Sequence, residues 1–178
     1  MRRIEKPKTG EFPDYDDIYI TPLPGDRLLI QHLKENFDAV KKLVLSLPPD
    51  KLLFAYAPGK WTIKEILVHI VDDERIYAYR ALCIARNEKK ELPGFEQDDY
   101  VRFSGANERD IASILEEYES VRSSTIAMLD GFPDEAFTRE GVANGNRFTV
   151  RALAYHLAGH EMHHLKIINE RYLKLGKA

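Results

Sequence analysis

Apolar residues along this chain recur mainly at spacings of three and four, which is the period of an amphipathic helix. Four stretches carry this pattern, over residues 28–47, 62–87, 108–130 and 150–175. Segments rich in proline, glycine and other turn formers separate them. The pattern therefore predicts an all-α fold, a four-helix bundle.

The ends of these stretches carry capping signals. Asp26 is the predicted N-cap of the first helix, which stops before a double proline. Thr62 and Glu65 stand in capping-box relation at the start of the second helix. Thr149 is predicted to cap the fourth helix, and Gly176, with lysines nearby, to end it.

The segment before the first helix, residues 1–25, is rich in proline and includes the run YDDIYITPLPGD. Proline removes a backbone donor and biases the residue before it away from helix, so we expect an extended N-terminal arm. Such an arm covers either an edge of the core or a neighbouring subunit.

The connection over residues 92–110 is long, polar and aromatic. Its length exceeds what a helical hairpin needs, and this favours a crossover, a lid or a pocket wall. Phe95, Tyr100 and Phe103 either line such a pocket or fix the loop to the bundle.

The chain also resembles itself. The stretch WTIKEILVHIVDDE at the second helix aligns with FTVRALAYHLAGHE at the fourth, and the helices that precede them match in length and apolar phase. The alignment places His69 on His156, and Asp73 on His160. We interpret the bundle as a duplicated helical hairpin whose second and fourth helices occupy equivalent places.

Composition limits the classes of function. The 178 residues are 44% hydrophobic and 31% charged, which is typical of one globular domain over 1–178, with the arm at 1–25 and the bundle at 26–178. A net charge of -3 argues against nucleic-acid binding. The single cysteine, the charged N-terminus and the absence of a long apolar run predict a cytoplasmic protein without a membrane span.

Histidines supply the strongest chemical signal. Four of the six lie within nine residues of the fourth helix, and His156, His160 and His164 form one ridge, with His163 further round. Two imidazoles one turn apart can bind the same cation, as in the H-x-x-x-H motif. His69, in the second helix, is the candidate third ligand.

Together, KWTIKEILVHIVDDERIYAYRALCIAR, LPGFEQDDYV and TVRALAYHLAGHEMHHLKIINERYL resemble the DinB superfamily, in the group that includes bacillithiol S-transferases and mycothiol-dependent maleylpyruvate isomerases. The resemblance implies a bundle that holds a divalent metal, zinc or nickel, through His69, His160 and His164. His156 leaves an alternative, because the H-x-x-x-H frame can also be read one turn earlier.

The resemblance further implies a homodimer. It also implies a metal-dependent enzyme that acts on a small molecule, either as a thiol S-transferase or as a hydrolase. A thiol S-transferase would use a low-molecular-weight thiol as a second cofactor. A non-catalytic metal-binding or small-molecule-binding stress-response protein is the alternative. Three imidazoles leave coordination positions open, as a catalytic metal site requires.

Carboxylates near His69 are candidates for a supporting role. Asp73, one turn later, and Asp72 are placed to orient a ligand imidazole. Asp72, Glu74 and Arg75 can equally form a solvated or salt-bridged helix face. Glu161 is adjacent to His160 and points roughly 100° away from it around the helix, so it is not expected to act directly.

Overall fold

The computed structural model describes residues 2–173, which form seven α-helices, one two-stranded sheet and short 3-10 turns. The elements are α1 (Asp17–Ile20), α2 (Leu29–Leu45), α3 (Pro49–Leu52), α4 (Ile63–Ala85), α5 (Gln97–Phe103), α6 (Ile111–Asp130), β1 (Glu140–Ala143), β2 (Asn146–Thr149) and α7 (Val150–Ile167). A π-helical segment, Ile168–Leu173, continues α7. The predicted helix end at Gly176 lies outside the described residues.

Helices α2, α4, α6 and α7 form the bundle, as predicted. Going round it, α4 packs against α7, α7 against α2, α2 against α6 and α6 against α4. The α4–α7 contact is the most extensive of these. These two helices are the ones that carry the candidate ligands.

Two of the predicted caps are confirmed. Thr62 and Glu65 form the capping box at the start of α4, and the Thr149 hydroxyl accepts a hydrogen bond from the backbone N–H of Ala152 at the start of α7. Both helices begin where their capping residues satisfy backbone donors that would otherwise lack partners. The similar starts agree with the predicted equivalence of α4 and α7.

The cap predicted at Asp26 is wrong. Helix α2 begins at Leu29, and its N-cap residue, Leu28, makes no side-chain capping bond. Asp26 instead accepts from the Leu28 backbone N–H at 2.9 Å and lies 2.9 Å from a ring nitrogen of His32. Between them, Arg27 adopts a left-handed conformation (φ 70°), which delays the helix.

The sequence predicts an extended arm, but the structure shows that only part of the arm is extended. It contains the helical turn α1, and Ile4, Ile20 and Leu23 are buried against the bundle of the same chain. The prolines of the arm lie on either side of the helical turn and not within it, so they limit its length. The arm therefore covers an edge of the core.

The all-α prediction also missed a β-hairpin. Strands β1 and β2 pair antiparallel, with Ala143 opposite Asn146. The two residues between them, Asn144 and Gly145, both have positive φ, as a tight hairpin turn requires. The prediction also missed helix α5, in the connection over residues 92–110. Only Val101 of this helix is buried, so its sequence shows no apolar periodicity.

The apolar core has two clusters, and polar residues of α4 and α7 lie between them. One cluster includes Leu33, Ile84 and Leu153, and the other includes Leu67 and Ile168. On α7 the boundary falls after Ala158, where His160 and His164 occur, and on α4 it falls after Val71, at Asp73 and Glu74. None of the helices within residues 2–173 has the length and apolar character that crossing a bilayer requires.

Candidate metal centre

Three imidazoles from two helices meet in the middle of the bundle. His69 comes from α4, and His160 and His164 come from successive turns of α7. The Nε2 atom of His160 lies 3.1 Å from Nε2 of His69 and 3.0 Å from Nε2 of His164. The structure thus brings together the three residues that the sequence singled out.

The surroundings keep these imidazoles uncharged. Burial, and next the charge of neighbouring histidines, lowers the pKa of His160 well below its usual value and that of His164 to about 3. Burial likewise lowers the pKa of His69. All three rings are therefore neutral at physiological pH, which is the form that binds metals.

The pattern of hydrogen bonds fits a bound cation. Nitrogens that bind one zinc ion at 2.0–2.1 Å in a tetrahedral arrangement lie roughly 3.3 Å apart, close to the spacing of these Nε2 atoms. The Nδ1 atoms of His69 and His164 are buried and have no hydrogen-bond partner among residues 2–173. Rearranging protons among the three rings cannot give every Nε2 atom a hydrogen-bond partner, so the cluster presents lone pairs to a shared point.

Asp73 fixes the central ring. One of its oxygens, Oδ2, lies 3.3 Å from Nδ1 of His160. The same oxygen lies 3.1 Å from Nε2 of His156, so it stands between the two rings, on the side of His160 away from the other two clustered histidines. Asp73 thus lies beside a candidate ligand imidazole, and its supporting role stays a prediction.

Asp72, the other predicted supporting residue, is placed differently. Its carboxylate lies 3.7 Å from Arg75, which also pairs with Glu117 of α6. One residue along a helix is a rotation of about 100°, so Asp72 and Asp73 cannot serve the same site. Asp72 belongs to a salt-bridged face, the alternative interpretation of this residue.

His156 is not part of the three-histidine cluster. Its Nδ1 lies 3.1 Å from Asp16 and its Nε2 lies 3.1 Å from Asp73, so both ring nitrogens face carboxylates. Burial alone lowers the pKa of His156, but the two carboxylates outweigh it and raise the pKa to about 9. Asp73, His156 and His160 are close enough together to hold an ion, but a protonated His156 cannot bind one. The later H-x-x-x-H frame is the better candidate.

The arm supplies two residues that sequence reasoning did not assign to the site. Asp16 binds His156, and the Tyr19 ring meets the rings of His156 and His160 edge-on, with centroids 5.2 and 5.3 Å apart. Helix α7 admits the arm at Gly159, where an added Cβ would lie 2.1 Å from the Tyr19 carbonyl oxygen. In the sequence, the only feature that pointed to these two residues was the cluster of tyrosines and acidic residues in the arm.

Two cavities flank the cluster. One, of about 350 Å³, reaches His164 and is lined by Tyr56, Lys60, Trp61, Asp98 and Tyr172. The other, of about 190 Å³, lies beside His160 and Asp73 and is lined by Tyr15, Tyr19 and Tyr77. Gln97 of α5 lines both, so the connection over residues 92–110 forms a pocket wall.

A second buried polar cluster lies on another face of the same two helices. Arg122 of α6 lies 2.9 Å from a carboxylate oxygen of Glu74 and 3.1 Å from one of Glu161. The Tyr118 hydroxyl donates to Glu161. Glu161 faces away from the histidines, as its spacing predicted, whereas Glu74 is buried and not on a solvated face.

The family of the chain follows from its sequence. A sequence model of the DinB superfamily matches residues 32–168. The chain belongs to the DinB superfamily. The resemblance inferred from the helix motifs is thus confirmed, and the family match covers α4 and α7, including all three clustered histidines. A search of curated proteins finds no match.

Solved structures share the family fold. YfiT from Bacillus subtilis, described as a probable metal-dependent hydrolase with an unusual four-helix bundle topology, is 18% identical, with a TM-score of 0.75 over 98% of this chain and 95% of that one. DinB-like proteins from Bacillus subtilis (17% identical, TM-score 0.59, 84% of this chain and 92% of that one) and Bacillus cereus (19%, 0.57, 83% and 91%) are also similar. At these identities the likeness shows the fold.

Proposed function

We propose that this protein is a metal-dependent enzyme of the hydrolase type, acting on a small molecule at a divalent cation held by His69, His160 and His164. The observation that carries the proposal is the convergence, between α4 and α7, of the Nε2 atoms of His69 and His164 on Nε2 of His160, at 3.1 and 3.0 Å. Zinc and nickel are the expected metals, since imidazole suits both.

The donor set favours catalysis over a structural role for the metal. Structural zinc sites have four protein ligands, whereas catalytic sites have three and keep a position open. A divalent cation in such a site polarises an electrophile and lowers the pKa of a nucleophile at the open position. The description of YfiT as a probable metal-dependent hydrolase supports this reading.

The residues around the cluster have separate tasks. Asp73 holds the proton on Nδ1 of His160 and so keeps Nε2 of that ring directed into the cluster. Trp61 packs on His69, with ring centroids 4.7 Å apart, and shields it from water. The cavity of about 350 Å³ at His164 is large enough for a small organic substrate.

Thiol S-transfer is the second candidate. It needs two organic reactants, a thiol and an electrophile, and two cavities of about 350 and 190 Å³ reach the cluster from different sides. In that reaction the thiol sulfur would attack the electrophile, its proton would leave to solvent, and the leaving group would take the bonding pair. The same three histidines would serve either reaction.

The test is metal content combined with an activity panel. Metal-free protein is loaded with zinc or nickel, passed through a desalting column and assayed with ester, amide and phosphoester substrates and with low-molecular-weight thiols plus monochlorobimane. His164→Ala should lose both metal and activity, and His163→Ala, its neighbour, should keep both. Stoichiometric metal with no turnover of any substrate would instead favour the non-catalytic binding protein.

A further inference from the structure

Arg80 of α4 is a buried cation with few partners. It is 4% exposed, and within residues 2–173 its guanidinium makes one hydrogen bond, from Nη2 to the carbonyl oxygen of Pro93 at 2.8 Å. Its Nε atom is buried without an acceptor. A guanidinium has five N–H donors, so most of those of Arg80 remain unused.

No carboxylate of the described chain neutralises this charge, because none lies within ion-pair distance of Arg80. Arg122 shows the contrast, since it is as deeply buried and is held by Glu74 and Glu161. Burying an unpaired charge is costly. Arg80 is therefore incomplete in the chain alone.

Two aromatic rings compensate only in part. The Arg80 Cζ atom lies 4.8 Å from the centroid of the Tyr77 ring and 6.0 Å from that of Phe95. Contacts of a cation with ring faces contribute about 0.5–2 kcal/mol. They hold the guanidinium in place, but they accept none of its N–H groups as a carboxylate would.

A mostly apolar cavity of about 230 Å³ adjoins this guanidinium. Arg80 lines it together with Ile76, Tyr79, Leu92, Phe95 and Tyr100. Arg75 also lines it, but Asp72 and Glu117 already offset the charge of Arg75. The cavity thus combines an apolar wall with one buried, unneutralised cation.

We propose that this cavity binds a small organic anion: a carboxylate whose oxygens accept from the Arg80 guanidinium, and whose aryl or alkyl body packs against Tyr79, Leu92 and Tyr100. Charge-assisted hydrogen bonds from Arg to a carboxylate supply the missing acceptors. The site is distinct from the three histidines, and binding there does not depend on a metal.

The test compares phenylacetate with its neutral amide, phenylacetamide, by isothermal titration calorimetry on the metal-free full-length protein. Phenylacetate should bind with the lower Kd, and Arg80→Met should weaken its binding by about tenfold or more while weakening the amide, whose single carbonyl oxygen is a neutral acceptor, by a smaller factor. Arg86→Met is the matched control, because Arg86 also packs over an aromatic ring, Phe132, but lies outside the cavity. It should leave both ligands unaffected.

A second variant tests the apolar wall in case Arg80→Met does not fold. Tyr79 is 56% exposed, so Tyr79→Ala should leave the fold intact and weaken phenylacetate and phenylacetamide by a similar factor. The proposal is overturned if phenylacetate does not bind, if acid and amide bind equally, if Arg86→Met weakens binding as much as Arg80→Met, or if Tyr79→Ala changes neither ligand.

Discussion

Helices α4 and α7 carry two buried polar clusters that differ in what they leave unsatisfied. His160 belongs to one and Glu161, the next residue, to the other, because a step of about 100° turns successive side chains to different faces. In the histidine cluster Nε2 of His160 faces the Nε2 atoms of two other neutral imidazoles, and no opposite charge lies among these three atoms. In the other cluster a guanidinium lies between two carboxylates, so opposite charges are paired.

The two clusters differ in function: one is suited to binding a ligand, and the other stabilises the packing of the helices. A cluster in which a guanidinium already lies between two carboxylates, such as Arg122 between Glu74 and Glu161, has its cation in place and holds α6 to α4 and α7. A cluster of converging acceptors gains its missing partner only when a cation enters. Depth of burial therefore does not distinguish the two clusters, whereas the match of donors to acceptors does.

The largest expected effect is on metal binding. His160→Ala removes the ring that faces both other ligands, so the loaded protein should lose its stoichiometric metal on desalting, and its metal-dependent rise in Tm should disappear. Metal content is measured by elemental analysis. His163→Ala, on the same helix but outside the cluster, should retain the metal. Equal metal retention by the two variants would contradict the account.

The next effect should be on stability. Arg122→Ala leaves Glu74 and Glu161 buried and uncompensated, and should lower the free energy of unfolding by about 3–5 kcal/mol, measured by urea denaturation. Arg86→Ala, which removes an exposed arginine at the end of α4, should change it by no more than about 0.5 kcal/mol. A loss below about 1 kcal/mol for Arg122→Ala would mean that this cluster does not support the fold.

A smaller effect distinguishes two adjacent carboxylates. Asp73→Asn removes the carboxylate charge beside Nδ1 of His160, and we expect metal affinity to fall by about 10- to 100-fold. Asp72→Asn, with its side chain directed to Arg75, should leave metal affinity unchanged. Competition with a chromophoric chelator measures the metal affinity of both variants. Equal losses of affinity in the two variants would contradict the role assigned to the contact between Asp73 and His160.

The smallest effect concerns a partly buried ion pair, Glu11 of the arm with Arg151 of α7. Partial burial raises the pKa of Glu11, but hydrogen bonds from Arg151 and Thr149 outweigh it, so its pKa lies below the ordinary 4.5. A lowered pKa stabilises the fold above pH 4.5 and ceases to do so as the pH falls through the folded-state pKa.

Glu11→Gln should therefore cost at most about 1 kcal/mol at neutral pH, and the difference between variant and wild type should shrink in acid. Urea denaturation at several pH values measures this. A difference that grows as the pH falls would reverse the assigned sign. The loss of unfolding free energy in Glu11→Gln, set beside the larger loss in Arg122→Ala, shows how the effect of breaking an ion pair depends on its burial.

Much of this architecture could be predicted from the sequence where the determinants are local. Thr62 and Thr149 marked the two helix starts, and helical spacing placed His160 and His164 on one ridge. The missed elements lack such periodicity: the turn α1 and helix α5 bury few residues, and the hairpin has only four residues in each strand.

The composition of the site depended on contacts between distant parts of the chain. Spacing alone could not separate His156 from His160 and His164, since the deciding partner, Asp16, is 140 residues away in the arm. Nor could it tell Asp72 from Asp73, because that depends on how α4 is rotated within the bundle. Arg80 was missed because nothing in a sequence marks a charge that lacks a partner.

Anomalous diffraction from crystals of the zinc- or nickel-loaded protein tests the central claim most directly, because it locates the ion itself. The account predicts one peak bonded to Nε2 of His69, His160 and His164, with His156 still between Asp16 and Asp73. A peak bonded to Asp73 and His156, or none near these histidines, would contradict it.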